Sequence, residues 1–305
     1  MALKFATYIC PPIPTALPSP DPSSPDSSLW QPLSCTLIYT PSSALIIDCP
    51  LSIAATRDLA AWIKGTLPAG CTLNLFLATH AHGDHFFGFP VLEDHFPGIQ
   101  AVASRFVVEG VAAQYAPDLQ EGLWKPGFPS TPSDNGIPQR QANFKSLPRS
   151  NEVYLDGVKL VKVHDVLHSD THYSSFVHVP DLDLVVAGDV AYNGDCHQYL
   201  VEANSVERRA KWIQALADIA ALEPKIVIPG HSFHVRSEPD AQYAKAMLDG
   251  NTAYIRGFEE ELKEASDAKD LFQRMRKRFN RWNLWILSQS CEAAFETEVS
   301  HHDKS

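Results

Sequence analysis

Paired cysteines are missing from this chain: its six cysteines, Cys10, Cys35, Cys49, Cys71, Cys196 and Cys291, lie far apart and no CxxC occurs. That spacing excludes the disulfide framework of short secreted chains and a structural zinc site built on paired thiolates. Reduced thiols, several of them buried in strands, are expected instead. Long apolar runs are also missing, so no segment is expected to span a bilayer. The opening MALKFATYIC has one lysine and a short apolar stretch broken by PPIP. That is too brief for a secretion signal, and the expected location is the cytoplasm. Positive charge is the third shortage, with 25 Lys and Arg against 36 Asp and Glu and a formal charge of -11. A nucleic-acid partner needs a basic stripe to neutralise phosphates. The one basic stretch, Arg274 to Arg281, lies in an amphipathic helical pattern and reads as a solvated face. Neither nucleic acid nor a membrane is therefore expected as a partner, and a small-molecule substrate is.

What is present is ordinary for a globular protein: 305 residues, 45% hydrophobic and 20% charged, enough to bury a sizeable core. Residues 1–33 read as an edge strand near Lys4 to Ile9 followed by a Pro/Ser-rich segment, PPIPTALPSPDPSSPDSSLWQP, expected to be a mobile extended loop of the same domain. Residues 34–295 read as a single domain. SCTLIYT and ALIIDC form a hairpin, Ser52 to Gly65 a helix, and TLNLFLAT a buried strand. IQAVAS and a helix from Arg105 follow. Residues 116–150 then lose any sustained period and read as an irregular insert, which in a compact domain is usually functional or disordered. Strands resume at Glu152 with VKLVKVH, SSFVHVP, DLVVAGD and, after a helix over 206–221, KIVIPGH; helices run on from Pro239, and 296–305 reads as a flexible tail. This order fits two similar layered halves with polar residues collected at strand C-termini, the edge where α/β sheets bind ligands.

The densest chemistry is in LATHAHGDHFFGFP, where His80, His82, Asp84 and His85 fall within six residues. A polar loop with chance histidines and a structural zinc site are the plainer readings, and the second wants thiolates that are not there. A hydrolytic metal site of neutral imidazoles and carboxylates fits better. In extended chain His80 and His82 project to one side and can share an ion. Asp84 and His85, where the chain turns, can face a second ion about 3.5–4 Å away. Such a site needs partners from other strand ends, and the sequence offers His168 in LHSDTH, Asp189 in VVAGDV and His231 in IVIPGH.

With Asp48 in IIDCP ahead of them, these motifs run in the order of the metallo-β-lactamase superfamily, which the chain resembles over most of 34–295. The resemblance implies a four-layer αββα sandwich of α/β class with metals at one edge between the sheets. It assigns His80, His82 and His168 to one ion, Asp84, His85 and His231 to another, Asp189 to a bridge, and Asp48 to a supporting role. It implies two zinc ions, with iron or manganese as alternatives. The family's GHTxGS around the third histidine is here LHSDTHYSS, a departure. Aspartate at 189 resembles the glyoxalase II and lactonase-like branch, not the antibiotic β-lactamases.

The implied activity is hydrolysis: a hydroxide bridging the cations opens a lactone, lactam or ester, such as one of a secondary metabolite. Asp84 would orient the hydroxide and return a proton to the leaving group, and Tyr192 would donate to the oxyanion. An acyl-carrier-protein thioesterase of a polyketide pathway, or a mononuclear-iron enzyme resembling persulfide dioxygenases, are the alternatives on the same scaffold. His164 and His178 read as sheet-face residues, and His95 and His197 as loop residues. His172 and His234 lie near His168 and His231 in the chain and could line the pocket. Trp124, Phe128 and Phe144 could wall it, with Lys145 or Arg149 meeting an anionic group.

Overall fold

The computed structural model describes the backbone of residues 2–130 and 136–302, with side chains through 296. The first half contains β1 (Lys4–Cys10), the short β2 (Ile13–Pro14) and β3 (Leu29–Trp30), β4 (Leu33–Tyr39), β5 (Ser43–Ile47), α1 (Ile53–Thr66), β6 (Thr72–Leu77), α2 (Phe89–His95), β7 (Gln100–Ala103), α3 (Arg105–Gln114), α4 (Pro117–Leu119), α5 (Lys125–Gly127) and β8 (Phe144–Ser146). The second contains β9 (Glu152–Leu155), β10 (Lys159–Val166), β11 (Ser174–Val179), β12 (Leu184–Gly188), α6 (Val206–Ala220), β13 (Ile226–Pro229), α7 (Ala241–Glu264), α8 (Ala268–Arg278) and α9 (Leu284–His302).

Two sheets result, ordered β1-β4-β5-β6-β7-β8 and β13-β12-β11-β10-β9. Strand alternation decides how they pack. In β5, Leu45 and Ile47 join Leu77, Val163, Val177 and Val186 in a core shared by both sheets, while Ala44 and Ile46 face the other way onto Leu59 and Ile63 of α1. In the second sheet Val185 and Ala187 face outward onto Trp212 of α6 and Ile255 of α7. Helix, sheet, sheet, helix is the αββα sandwich expected. Helices begin where the sequence supplies caps: Ser52, Ser104 and Ser205 accept from Ala55, Val107 and Arg208 amides. Among the described residues no helix is long and apolar enough to cross a membrane.

Two regions differ from the sequence reading. The Pro/Ser-rich segment is tied into the fold and not simply extended: Ile13 pairs with Trp30, and the buried Asp26 carboxylate accepts from the Asn283 and Leu284 amides at 2.7 and 3.3 Å, capping α9. The 116–150 insert is not irregular through its first part, where α4, one wide turn over Gln120–Trp124 and α5 run on continuously. Its residues 131–135 lie outside the described ones. The 296–305 segment continues α9 through His302, with 303–305 again outside.

Candidate metal centre

Five strand ends meet at one edge of the sandwich. Asp48 follows β5 with φ at +59°, a conformation that aspartate tolerates better than most residues. Its buried carboxylate accepts from the Thr79 amide at 2.8 Å, the Thr79 hydroxyl at 2.8 Å and His85 Nδ1 at 3.0 Å. It thereby clamps the turn after β6 that delivers His80, His82, Asp84 and His85. The loop between β10 and β11 brings Asp170, and His80 forms a bridge with Ser174 at the start of β11. Asp189 leaves β12, and His231 leaves β13. Both of the latter are preceded by glycines that the packing requires. Gly188 has φ at +52° and a Cβ there would strike the Thr79 hydroxyl, and one at Gly230 would strike the Asp189 carboxylate.

Tautomers follow from the outer contacts of each ring. His231 Nδ1 lies 2.7 Å from the Pro32 carbonyl, which only accepts, so Nδ1 carries the hydrogen. His85 Nδ1 faces Asp48, and His82 Nε2 lies 3.0 Å from Glu202 Oε1. The Thr79 hydroxyl, spent as a donor to Asp48, accepts from His80 Nδ1 at 3.0 Å. With a cation in place and the hydrogen on the outer nitrogen, each ring would turn a lone pair inward: His80 Nε2, His82 Nδ1, His85 Nε2 and His231 Nε2. His85 and His231 Nε2 stand 3.2 Å apart, and both lie 3.3 Å from Asp189 oxygens. His82 Nδ1 and Asp170 Oδ2 are 2.7 Å apart. Lone pairs facing lone pairs and carboxylates in a buried space are unfavourable unless cations stand between them. His80 Nε2, Asp170 Oδ2 and Asp189 Oδ1 are buried without a hydrogen-bond partner. Donors of three sets, His80, His82 and Asp170, then His80, His85 and Asp189, then Asp84, His85 and His231, each fall within 4.8 Å of one another. Imidazole and carboxylate donors of this kind suit zinc, iron or manganese, so the residues fit a metal.

The Lactamase_B model of the metallo-beta-lactamase superfamily matches residues 30–231. The chain belongs to the metallo-β-lactamase superfamily. Its members are generally metal-dependent hydrolases. Solved structures agree on the fold. A metallo-beta-lactamase family protein from Thermus thermophilus superposes with a TM-score of 0.64 at 16% identity, covering 96% of this chain and 94% of that one. A beta-lactamase domain protein from Burkholderia ambifaria gives 0.61 at 15% identity, over 96% and 84%. A metallo-beta-lactamase from Pontibacter korlensis gives 0.53 at 15% identity, over 77% and 91%. No curated protein sequence matches the chain.

Six residues named by the superfamily motifs, His80, His82, Asp84, His85, Asp189 and His231, fall in the three donor sets; His168 does not. Its Nδ1 is turned to the Ser169 carbonyl at 2.7 Å, and Asp170 stands beside His80 and His82. The sequence reading passed over Asp170 because a histidine two residues earlier looked like the better match. Tyr192 also differs from expectation. It is buried, and its hydroxyl donates to Asp189 Oδ2 at 2.6 Å. It therefore orients that carboxylate and is not placed to meet an oxyanion. His172 and His234 are exposed, while His197 is buried against the Tyr254 hydroxyl at 2.8 Å.

Electrostatics follow the same contacts. Burial disfavours protonation of His82 and His85, yet Asp170 and Glu202 around the first, and Asp189 and Asp48 around the second, hold both well above the usual histidine range. Burial keeps His80 below it. Burial would raise Asp189, but His231 and His85 hold it well below the ordinary carboxylate range.

Above these groups opens a cleft. Trp30, Trp124, Trp285, Leu119, Leu123 and Ile286 form its apolar wall. Trp30 is the residue the sequence reading missed, since one tryptophan in a Pro/Ser-rich stretch carries no local signal. Its indole N–H donates to Asp84 Oδ2 at 3.0 Å. Of the aromatics expected to wall the pocket, Trp124 does. Phe128 packs edge-on beneath Trp30, and Phe144 packs on Phe76 and Phe86. Lys145 and Arg149 are exposed and neither lines the cleft.

Proposed function

We propose that this chain is a metal-dependent hydrolase that opens a small, largely apolar carbonyl substrate, a lactone, lactam or ester. The observation that carries the reading is the convergence of His80, His82, Asp84, His85, Asp189 and His231 at the floor of a tryptophan-walled cleft. His80 and His82 would hold one cation and Asp84, His85 and His231 another, with Asp189 between. When bound, such cations lower the pKa of water from about 15.7 to about 7 and polarise a carbonyl oxygen.

The chain's own residues supply the rest. Trp30 fixes Asp84 through Oδ2, which leaves Oδ1 to take the proton of the attacking water and return it to the leaving atom. Tyr192 holds Asp189 at the angle that serves both halves of the site. The indoles of Trp30, Trp124 and Trp285 exclude water and pack against an apolar acyl or ring system. Among the described residues no lysine or arginine lines the cleft, and Glu202 does. Away from the cations, the wall thus favours neutral, apolar parts of a substrate.

The test is a hydrolysis screen of apolar lactones, lactams, aryl esters and thioesters on protein loaded with defined zinc, iron or manganese. Turnover of a neutral apolar ester or lactone is expected, falling at least ~10³-fold in Asp84→Ala and His82→Ala. Full activity in both variants, or no turnover by any loaded form, overturns the reading. A preference for thioesters would favour the carrier-protein alternative.

A further inference from the structure

We infer that Asp170, and not His168, is the third protein ligand of the first metal position, completing a set of two imidazoles and one carboxylate with His80 Nε2 and His82 Nδ1. The inference rests on the metal-hydrolase reading and specifies one corner of it.

Asp170 is fully buried. Its Oδ1 is engaged by the Ser169 hydroxyl at 2.7 Å. Its Oδ2 lies between His82 Nδ1 at 2.7 Å and His80 Nε2 at 3.4 Å. A fully buried carboxylate oxygen gathered with two imidazole nitrogens within 4.8 Å is the arrangement of a three-donor metal position, in which a cation replaces the proton shared between His82 and Asp170. His168 offers no such atom to His80 or His82.

The surrounding loop is built to hold Asp170 in that place. Ser169 Oγ also stands 2.7 Å from Ser174 Oγ. The Thr171 hydroxyl donates to Glu202 Oε2 at 2.7 Å, and Glu202 Oε1 in turn holds His82 Nε2. The loop sequence SDTHYS, residues 169–174, can be laid on GHTxGS with Thr171 and Ser174 in register, and Asp170 then falls on the histidine. Where that pattern has its second glycine this chain has Tyr173, whose ring packs so closely on Gly110 of α3 that a Cβ at 110 would collide with it. The departure from glycine at 173 is thus matched by a glycine across the interface.

A carboxylate in place of an imidazole adds a negative charge and a harder donor to the first position. That shifts its preference from zinc toward manganese or iron, relative to an all-histidine set.

The experiment measures metal stoichiometry and affinity by chelator competition on the whole chain stripped of metal, together with the visible spectrum of the cobalt form. Wild type is expected to take two equivalents. His168→Gln should keep both, with an unchanged cobalt spectrum. Asp170→Asn should weaken one equivalent by more than ~100-fold. Asp170→His, which keeps a donor and guards against a misfolded Asn variant, should keep two equivalents and shift the zinc-to-manganese affinity ratio toward zinc by ~10-fold or more. Loss of one equivalent in His168→Gln, or an unchanged metal ratio in Asp170→His, overturns the assignment and leaves the hydrolase reading standing. Absence of metal uptake by wild type overturns both.

Discussion

His85 and His231 lean on groups fixed at the sandwich edge: the first on Asp48 just past β5, the second on the Pro32 carbonyl just before β4. His82, on the other side of the site, leans on Glu202, a loop carboxylate whose side chain is 39% exposed. Asp170 likewise comes from a loop. The half containing His85 and His231 is therefore set by the sheet edges. The half containing His80, His82 and Asp170 is set partly by loops that also line the cleft. The metal-holding geometry of one half is inherited from the fold, and that of the other can change with the loops that select the substrate.

The comparison can be broken from the rigid side first. Asp48→Ala strands Thr79 and His85 at once and leaves three donors without their acceptor. It should cost about 2–4 kcal/mol in denaturant unfolding and reduce metal retention in dialysis to below half of wild type. If stability and metal content both stay at wild-type values, the clamp is not what fixes the turn. On the loop side, Glu202→Ala frees the outer nitrogen of His82. A ~10–100-fold loss in affinity for one metal equivalent is expected, with unfolding unchanged within about 0.5 kcal/mol. Equal loss of both equivalents would erase the distinction between the halves.

A smaller effect is expected from Trp30→Phe, which keeps a ring in the cleft but removes the N–H that holds Asp84. Turnover should fall ~10-fold while metal content, read by elemental analysis, is unchanged. The smallest change concerns His197, on the loop that carries both Asp189 and Glu202. Burial, with help from Arg281 and Arg276, depresses His197 from 6.5 to about 3. The unfolded chain takes up this proton near pH 6.5 and the folded one does not, so its contribution is full above that value and drains away as pH falls toward 3. His197→Gln should reduce the change in unfolding free energy between pH 6.5 and 5.5 by about 1 kcal/mol, read from denaturant titrations at the two values. An unchanged slope would show that His197 does not carry it.

The sandwich was legible because alternation in ALIIDC, TLNLFL and DLVVAG encodes two-faced strands directly. Most of the site was legible for a related reason: each of His80, Asp189 and His231 follows its strand within a few residues, so the motif and the geometry are the same local fact. Asp170 was not, because a carboxylate has replaced the residue type that the eye follows and His168 stands nearby to draw it. Trp30 was illegible for a deeper reason. What turns a Pro/Ser-rich stretch into a fixed wall is the bond from the Asn283 amide to Asp26, across 257 residues of chain, and no local pattern can announce a contact at that range.

That same bond sets an order of events during synthesis. The sheets and the motif residues through His231 are complete once β13 has emerged, whereas the cleft wall must wait for Trp285 and the cap that Asp26 gives α9. The wall above the site is thus shared between the two ends of the described chain.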